Sequence, residues 1–565
     1  MRRAKLLCPA LVLCLSLPLM AANDEPKNMA TTPSDATAQS AFDQIIDQVV
    51  IREKANLQEM RKYSPVVETY IQNMRSDNDL GLVPDKDTYV LGRMDWTEGA
   101  RRNRSFMKQP GRMKAFFDKM TSFYSLKYLP LGFMQMVAMD DNSFDRAHYE
   151  FKFVRREFLG DVRCMVIDVS PKKEAGNGRF LGRIWVEDQE YNIIRFNGTY
   201  GPAPKFSSYL HFDTWRLNMR PGVWLPAYVY SEESSLPNHL FSSVRFKSQT
   251  RLWGYDQAHI GHHDEFSNIT VDSPRVKDES ETGQDASPVM AQRNWERMAE
   301  NNVLERLEAA GLLAPSGDVD KVLETVISNL EITNNLNIQP DVHARVLLTA
   351  PLESFTVGHT IVLSRGLIDV LPDEATLAAV VAHELAHISV GANMDTAYSF
   401  SDRMIFNDEQ VFRNISMARD EHSESEADAK AIEYLKNSPY KDKLGNAGLF
   451  LEALQARQKD LPNLLHAHLG NSMAMKAGGL RMNELMTGAP QLQVRNLDQI
   501  AALPLGARIH LDAWSDKIEM TKTNRVPLIS PREKMPFEIT PVFPYITRLN
   551  PEEKGKVAAA TTPQQ

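Results

Sequence analysis

The sequence predicts an α+β chain: an N-terminal antiparallel, half-barrel-like sheet with helices, followed by a mainly helical part with a small sheet. Three observations predict it. Residues 84–255 carry short alternating runs rich in Val, Ile, Tyr, Phe and Trp, separated by turn residues at spacings of about 8–15, with no helical pattern between them. Residues 273–290 are polar, charged and punctuated by proline, which marks a boundary. Beyond them apolar residues recur at three and four, the spacing that gives a helix one apolar face. With 565 residues, 43% hydrophobic and 24% charged, the chain can fill more than one core, which excludes collagen-like, coiled-coil and wholly disordered readings. Its formal charge of −9 and lack of clustered Lys and Arg argue against nucleic acid as a partner.

Taken in order, residues 1–22 read as a signal peptide. Met1–Lys5 is basic, Leu6–Met20 is apolar, and Ala21-Ala22 precedes polar Asn23. Export to the periplasm is therefore expected, and loss of Arg2, Arg3 and Lys5 with the leader takes the charge to −12. Leu7 and Leu13 precede Cys8 and Cys14, so neither cysteine fits a lipidation site. No other apolar run reaches 18 residues, so no transmembrane span is expected in the mature chain. Residues 23–40 are read as disordered. Phe42, Ile45, Ile46, Val49 and Val50 then make a helical face, and Pro65 divides residues 41–75 into two helices.

Strands follow at Tyr149–Arg156, Asp161–Val169, Arg179–Glu187, Tyr191–Thr199, Ser208–Arg216, Val223–Ser231 and Leu240–Trp253, with hairpin loops at 173–178 and 187–191. Cys164 lies in one of these runs and reads as a buried strand residue. It is the one cysteine left after the leader, so no internal disulfide is expected. His259 and Gly261-His-His-Asp-Glu265 read as an exposed loop. Residues 273–292 are the linker, and 41–272 and 293–480 the two main domains. In the second, Asn294–Leu313 and Asp318–Leu336 are helical, with Asp318 as N-cap. Ala344–Thr349 and Phe355–Ser364 are strands, Pro372-Asp373 opens a helix to about Val390, and another helix covers about 408–436. Residues 481–550 form a less regular extension with a hairpin at Ala507–Lys522, and 551–565 a loose tail.

The chemistry centres on His383-Glu384-Leu385-Ala386-His387, within a run of strong helix formers free of Pro and Gly. On a helix, histidines four apart project from one face, one turn apart, so both imidazoles can meet one zinc ion. Glu384 lies near the metal without joining it, the placement of a general base acting on water at the metal. A catalytic zinc needs a third protein ligand and an open position. Glu424-Ser-Glu-Ala-Asp428 on the next helix is the source, with Glu421 and Glu426 competing with Glu424. Glu426 lies about 200° round the helix from Glu424, so both cannot face the metal. Asp428 is one turn beyond Glu424 on the same face, placed to orient a liganding histidine.

In this respect residues 295–435 resemble the CAAX-prenyl-protease/HtpX-like zinc metallopeptidases, specifically their soluble, periplasmic BepA-like branch, which are gluzincins. The resemblance rests on Thr360-Ile-Val-Leu-Ser-Arg-Gly-Leu-Ile-Asp-Val-Leu371, then Leu377–His387, then Glu424-Ser-Glu-Ala-Asp428, in that order. It implies that His383, His387 and Glu424 bind one Zn2+, that Glu384 is the base, and that Asp428 is the carboxylate behind a ligand. It further implies that the strand around Ser354–Leu363 borders the cleft and pairs with an extended substrate. The chain departs from the family after the zinc helix, where Ser389-Val-Gly-Ala-Asn393 replaces a His-rich stretch, and in lacking a His-Pro element. The nearest analogue of that element is Leu503-Pro-Leu-Gly-Ala-Arg-Ile509, and Arg508, His466 and His468 are the candidates for stabilising the oxyanion. Residues 60–255, with Gly178–Arg195, are similar in texture to the lipoprotein-sorting (LolA/LolB-like) half-barrel, which implies a concave surface for a lipid or apolar ligand. These resemblances imply an exported zinc endopeptidase acting on polypeptides, such as misfolded envelope or outer-membrane proteins, in envelope quality control. The alternative is a non-catalytic periplasmic carrier or chaperone for lipid or unfolded outer-membrane proteins.

Overall fold

The computed structural model describes residues 33–77, 81–95, 102–105, 135–140, 143–201, 210–237, 243–255, 288–391, 411–412, 416–466, 468–473, 481–492, 509–512, 517–520 and 546–549. The signal peptide, residues 23–32, the loop at His259–Glu265, most of the 273–292 linker, Arg508 and the tail from 551 lie outside these residues. The chain divides into two compact units, Met1–Ile45 and Ile46–Gln565. Of the first, the described part is the beginning of helix α1 (Pro33–Met60). That helix starts at Pro33, inside the stretch the sequence assigns to disorder. Proline is well placed in a first turn, where its missing N–H is no loss.

The second unit carries a ten-stranded antiparallel sheet in the order β3-β2-β1-β10-β9-β8-β7-β6-β5-β4. β4 (Tyr149–Leu159), β5 (Val162–Pro171), β6 (Arg179–Glu187), β7 (Ile193–Gly201), β8 (Phe212–Arg220), β9 (Val223–Pro237) and β10 (Ser243–Trp253) are the seven strands the alternating runs predict. β1 (Val66–Asp77), β2 (Gly81–Asp95) and β3 (Arg102–Ser105) extend the sheet. β1 corrects the second helix expected after Pro65. Val66-Val-Glu-Thr-Tyr-Ile71 is β-branched and aromatic, and its alternate side chains pack into a sheet where a helix would crowd them. β1 pairs with β10, Val66 opposite Trp253, so both ends of the meander meet side by side. The sheet stays open, with β3 and β4 at its edges. Cys164 is buried on β5, and burial pushes its thiol well above the usual cysteine range.

Glu53 of α1 and Arg216 of β8 form a two-pronged ion pair at 2.6 and 2.8 Å, and both side chains are 1% exposed. Losing one partner would strand a charge in the core. Arg216→Ala is therefore expected to cost about 3–5 kcal/mol in urea denaturation, and Glu53→Leu combined with Arg216→Met to recover most of it. If Arg216→Ala unfolds at the wild-type urea concentration, the pair contributes nothing.

The rest of the unit begins with α2 (Pro288–Ala309) and α3 (Asp318–Thr333). Gly317, not Asp318, caps α3, and its N–H donates to Asp320 Oδ2 at 3.0 Å. Asp320, one turn in, is the carboxylate in reach of that amide. β11 (His343–Leu347), β12 (Glu353–Val357), β13 (Thr360–Ser364) and β14 (Asn471–Ser472) form a sheet in the order β11-β13-β12-β14. The run expected as one strand at Phe355–Ser364 is thus a hairpin. Gly358, with φ of +55°, takes the left-handed turn between β12 and β13. α4 (Arg365–Val370) and α5 (Glu374–Val390) follow, α5 capped by the Asp373 carboxylate on Thr376 N–H and stopped by left-handed Gly391. The helix expected over 408–436 is interrupted: residues 416–420 are non-helical, and Asp420 caps α6 (Glu421–Lys436). α7 (Leu444–Arg457), α8 (Pro462–Leu465), α9 (Glu484–Thr487) and the hairpin β15 (Ile509–Asp512) to β16 (Lys517–Met520) complete the described elements. None of the described helices is long and apolar enough to cross a membrane.

One apolar core runs from Trp185, Trp215 and Tyr228 of the large sheet through to Val381 and Leu385 of α5. Buried polar groups join the two sheets. Glu68 of β1 accepts from Tyr89 hydroxyl at 2.9 Å and from Ala350 N–H at 2.6 Å, and pairs with Arg251 of β10. Arg251 also donates to Leu348 carbonyl at 2.6 Å. Asp87 of β2 accepts from Asn463 and Leu464 backbone N–H at 2.9 and 2.8 Å, at the start of α8. The large sheet therefore holds the loop that leads into β12 and the helix that leads into β14.

Candidate metal centre

From Ala378 to His387 every residue of α5 is buried, so its histidines face protein on all sides. His383 and His387 stand one turn apart with their Nε2 atoms 3.2 Å from each other. α6 crosses α5 and brings Glu424, whose Oε2 lies 3.3 Å from His383 Nε2 and whose Oε1 lies 3.2 Å from His387 Nε2. One ligand atom from each of the three falls within 4.8 Å of the others. Glu421 and Glu426, the rival acids on α6, are exposed, whereas Glu424 is buried. Asp428 Oδ1 lies 2.7 Å from His383 Nδ1, and its Oδ2 accepts Met482 N–H at 2.9 Å. The carboxylate fixes the His383 ring and leaves Nε2 to face the centre. Ser423 hydroxyl stands 3.5 Å from His387 Nδ1.

The electrostatics suit a cation. Burial and the nearby Arg481 charge oppose an imidazolium at His383, yet the carboxylates of Asp428, Glu424 and Glu384 outweigh them and raise its pKa to about 9. Burial works against the Glu424 charge, but His383, His387 and Arg481 hold that carboxyl well below the usual range. Two imidazole nitrogens are aimed at one another, and Glu424 Oε1 is buried with no hydrogen-bond donor. A divalent metal between them would satisfy all three, and two nitrogens with one carboxylate oxygen is a donor set zinc takes.

Glu384, wholly buried, lies beside this cluster. Its Oε1 accepts from Ser354 hydroxyl at 2.6 Å and from Arg481 Nη1 at 3.1 Å, while Oε2 has no partner among the described residues. Arg481 is the residue that sequence reasoning missed. It is 1% exposed, its Nε lies 3.2 Å from Glu424 Oε2, its Nη1 3.2 Å from Ser354 Oγ, and its Nη2 is buried with no partner among the described residues. It thus brings one positive charge against the base and a ligand at once, with a donor to spare. No spacing rule reaches it, because it stands 97 residues beyond Glu384. The one signal is an arginine after the weakly polar run Met473–Leu480.

Two of the three oxyanion candidates lie among the described residues. His466 is exposed, with Nδ1 2.6 Å from Pro462 carbonyl. His468 is half-buried, and its backbone N–H donates to Glu353 Oε2. Arg508 lies outside the described residues. Glu353 acts on the backbone: its Oε2 accepts the N–H groups of His468, Leu469 and Gly470 at 3.1, 2.9 and 3.0 Å. It thereby delivers β14 to the edge of β12, Asn471 opposite Ser354.

Two histidines one turn apart and a carboxylate from the neighbouring helix make a donor set that zinc takes, with Glu384 beside it. Residues 314–422 match the model of Peptidase family M48, a stretch that includes His383, Glu384 and His387 and ends two residues before Glu424. No curated protein matches the chain. Three solved structures are similar to part of it. A putative outer membrane lipoprotein-sorting protein domain from Vibrio parahaemolyticus is 10% identical over 36% of this chain and 90% of its own, with a TM-score of 0.17. A LolA superfamily protein from Nitrosomonas europaea is 14% identical over 36% and 90%, also at 0.17. A DUF1329 family protein from Desulfovibrio piger is 12% identical over 38% and 92%, again at 0.17.

Proposed function

We propose that the chain is a zinc-dependent endopeptidase, exported to the periplasm and acting on misfolded envelope or outer-membrane proteins. The observation that carries the peptidase reading is the buried His383–His387–Glu424 donor set with the unpartnered Glu384 Oε2 beside it. Its match to a peptidase family supports polypeptide substrates. Bound zinc would supply Lewis acidity, lowering the pKa of water and polarising the scissile carbonyl. The rest falls to the chain. Asp428 and Ser423 orient the two imidazoles. Glu384 Oε2 takes the proton of the attacking water and hands it to the leaving amine. Arg481 offers its spare Nη2–H to the oxygen on which negative charge develops. β12 lines the site through Ser354, whose hydroxyl reaches Glu384.

Mass spectrometry of the purified chain is expected to find about one zinc per molecule. Casein cleavage is expected to stop on chelation and return with added zinc. Zinc without hydrolysis would favour the carrier reading. A chain that takes up no zinc on reconstitution would overturn the proposal.

A further inference from the structure

We propose that Ser354 is a positioning residue for the general base, an inference that rests on the zinc-peptidase reading. Its hydroxyl is wholly buried on β12, between a guanidinium and a carboxylate. Arg481 Nη1 stands 3.2 Å from Ser354 Oγ and Glu384 Oε1 stands 2.6 Å from it. A guanidinium can only donate, so Ser354 must accept from Arg481, and its single proton goes to Glu384 Oε1. The direction of the bond is therefore fixed by chemistry.

The consequence falls on the other oxygen. Oε1 already accepts from Ser354 and from Arg481 Nη1 at 3.1 Å, whereas Oε2 accepts from nothing among the described residues. A buried carboxylate held this way presents one saturated oxygen and one free one, and the free one is the proton acceptor. Arg481 alone cannot hold that orientation. Its guanidinium is shared with Glu424 at 3.2 Å and sits on a long side chain with several rotatable bonds. Ser354 has a short side chain. Its strand is paired on both sides, with Leu363 on β13 and Asn471 on β14. The backbone ladder thus sets the Ser354 hydroxyl, and the hydroxyl sets which oxygen of Glu384 is free.

The test uses the zinc-loaded full chain and a peptide substrate. Ser354→Ala is expected to lower kcat about tenfold to hundredfold, the scale of a misplaced reacting group, with KM within about twofold and zinc content unchanged. Ser354→Thr, which keeps the hydroxyl, is expected to restore most of the rate. A second readout needs no turnover: Ser354→Ala should lower Tm in the native background and less in a Glu384→Ala background, where its shorter bond, to Glu384, is already gone and only the one from Arg481 is left to lose. Unchanged kcat in Ser354→Ala, or a loss confined to KM, overturns the proposal. So do equal Tm shifts in the two backgrounds, which also decide the matter if the threonine is too large to fold. A wild-type chain that binds zinc without cleaving overturns the peptidase reading instead, and the Tm comparison still reports whether Ser354 and Glu384 are coupled.

Discussion

Glu384→Gln is expected to lower kcat by about 10²–10⁴-fold, the usual contribution of a general base, while fold and zinc content stay as in wild type. The substitution is close to isosteric. The amide oxygen can take the place of Oε1 and still accept from Ser354 and Arg481. The amide nitrogen then stands where Oε2 was, and it cannot accept a proton. The three metal-binding side chains are untouched, so zinc measured by mass spectrometry should remain at the wild-type level. Cleavage of denatured protein by this variant at the wild-type rate would falsify the role of Glu384.

Arg481→Ala carries the second large effect, and it is expected to act on rate and stability together. In the native chain one guanidinium faces two buried carboxylates, Glu384 and Glu424. Removing it leaves both without their shared cation, a loss of about 3–5 kcal/mol where no metal offsets it. On the proposed mechanism it also deletes the oxyanion donor, an expected loss of about 10²–10³-fold in kcat. Arg481→Lys should recover only part of either, because an ammonium is a point charge and cannot span Glu384, Glu424 and Ser354 as a planar fork does. The measurements are kcat on a peptide substrate and Tm with and without zinc. If Arg481→Ala cleaves as fast as wild type and melts at the same temperature, this arginine is a bystander.

How much of this was legible in the sequence depends on how local each relation is. His383 and His387 are four apart on one helix, and helical geometry alone puts them on one face. Glu424 could be narrowed against Glu426 by the same arithmetic, although only the crossing of α5 and α6 shows which face is buried. Arg481 was illegible because nothing periodic links it to α5; the chain passes through α6, α7 and α8 before returning. The seven strands from β4 to β10 could be read because each alternates and each turn is marked. β1 was hidden by its neighbour: the helical face of α1 lies just ahead of Pro65, and proline ends a helix without specifying the element after it. The β12–β13 hairpin was hidden by Gly358-His359, a two-residue turn too short to interrupt an apolar run. Asp318 looked like a cap because its side chain suits one, but the carboxylate that reaches the helix end belongs to Asp320.

The buried groups that Glu68, Asp87 and Arg251 extend into the loops before β12 and β14 have a consequence for how such a chain can be re-engineered or can diverge. The two sheets do not behave as interchangeable cassettes. Cutting at the proline-punctuated stretch would strip Ala350 N–H, Leu348 carbonyl and the first amides of α8 of the partners that fix them, at the threshold of the strand that carries Ser354. Strands β1, β2 and β10 answer to the geometry of the candidate metal site, whereas β4, at the far edge of the same sheet, has no such duty among the described residues. A foreign sheet grafted in their place would have to bring those three side chains with it, in register, before the half that carries the candidate metal site could hold its shape.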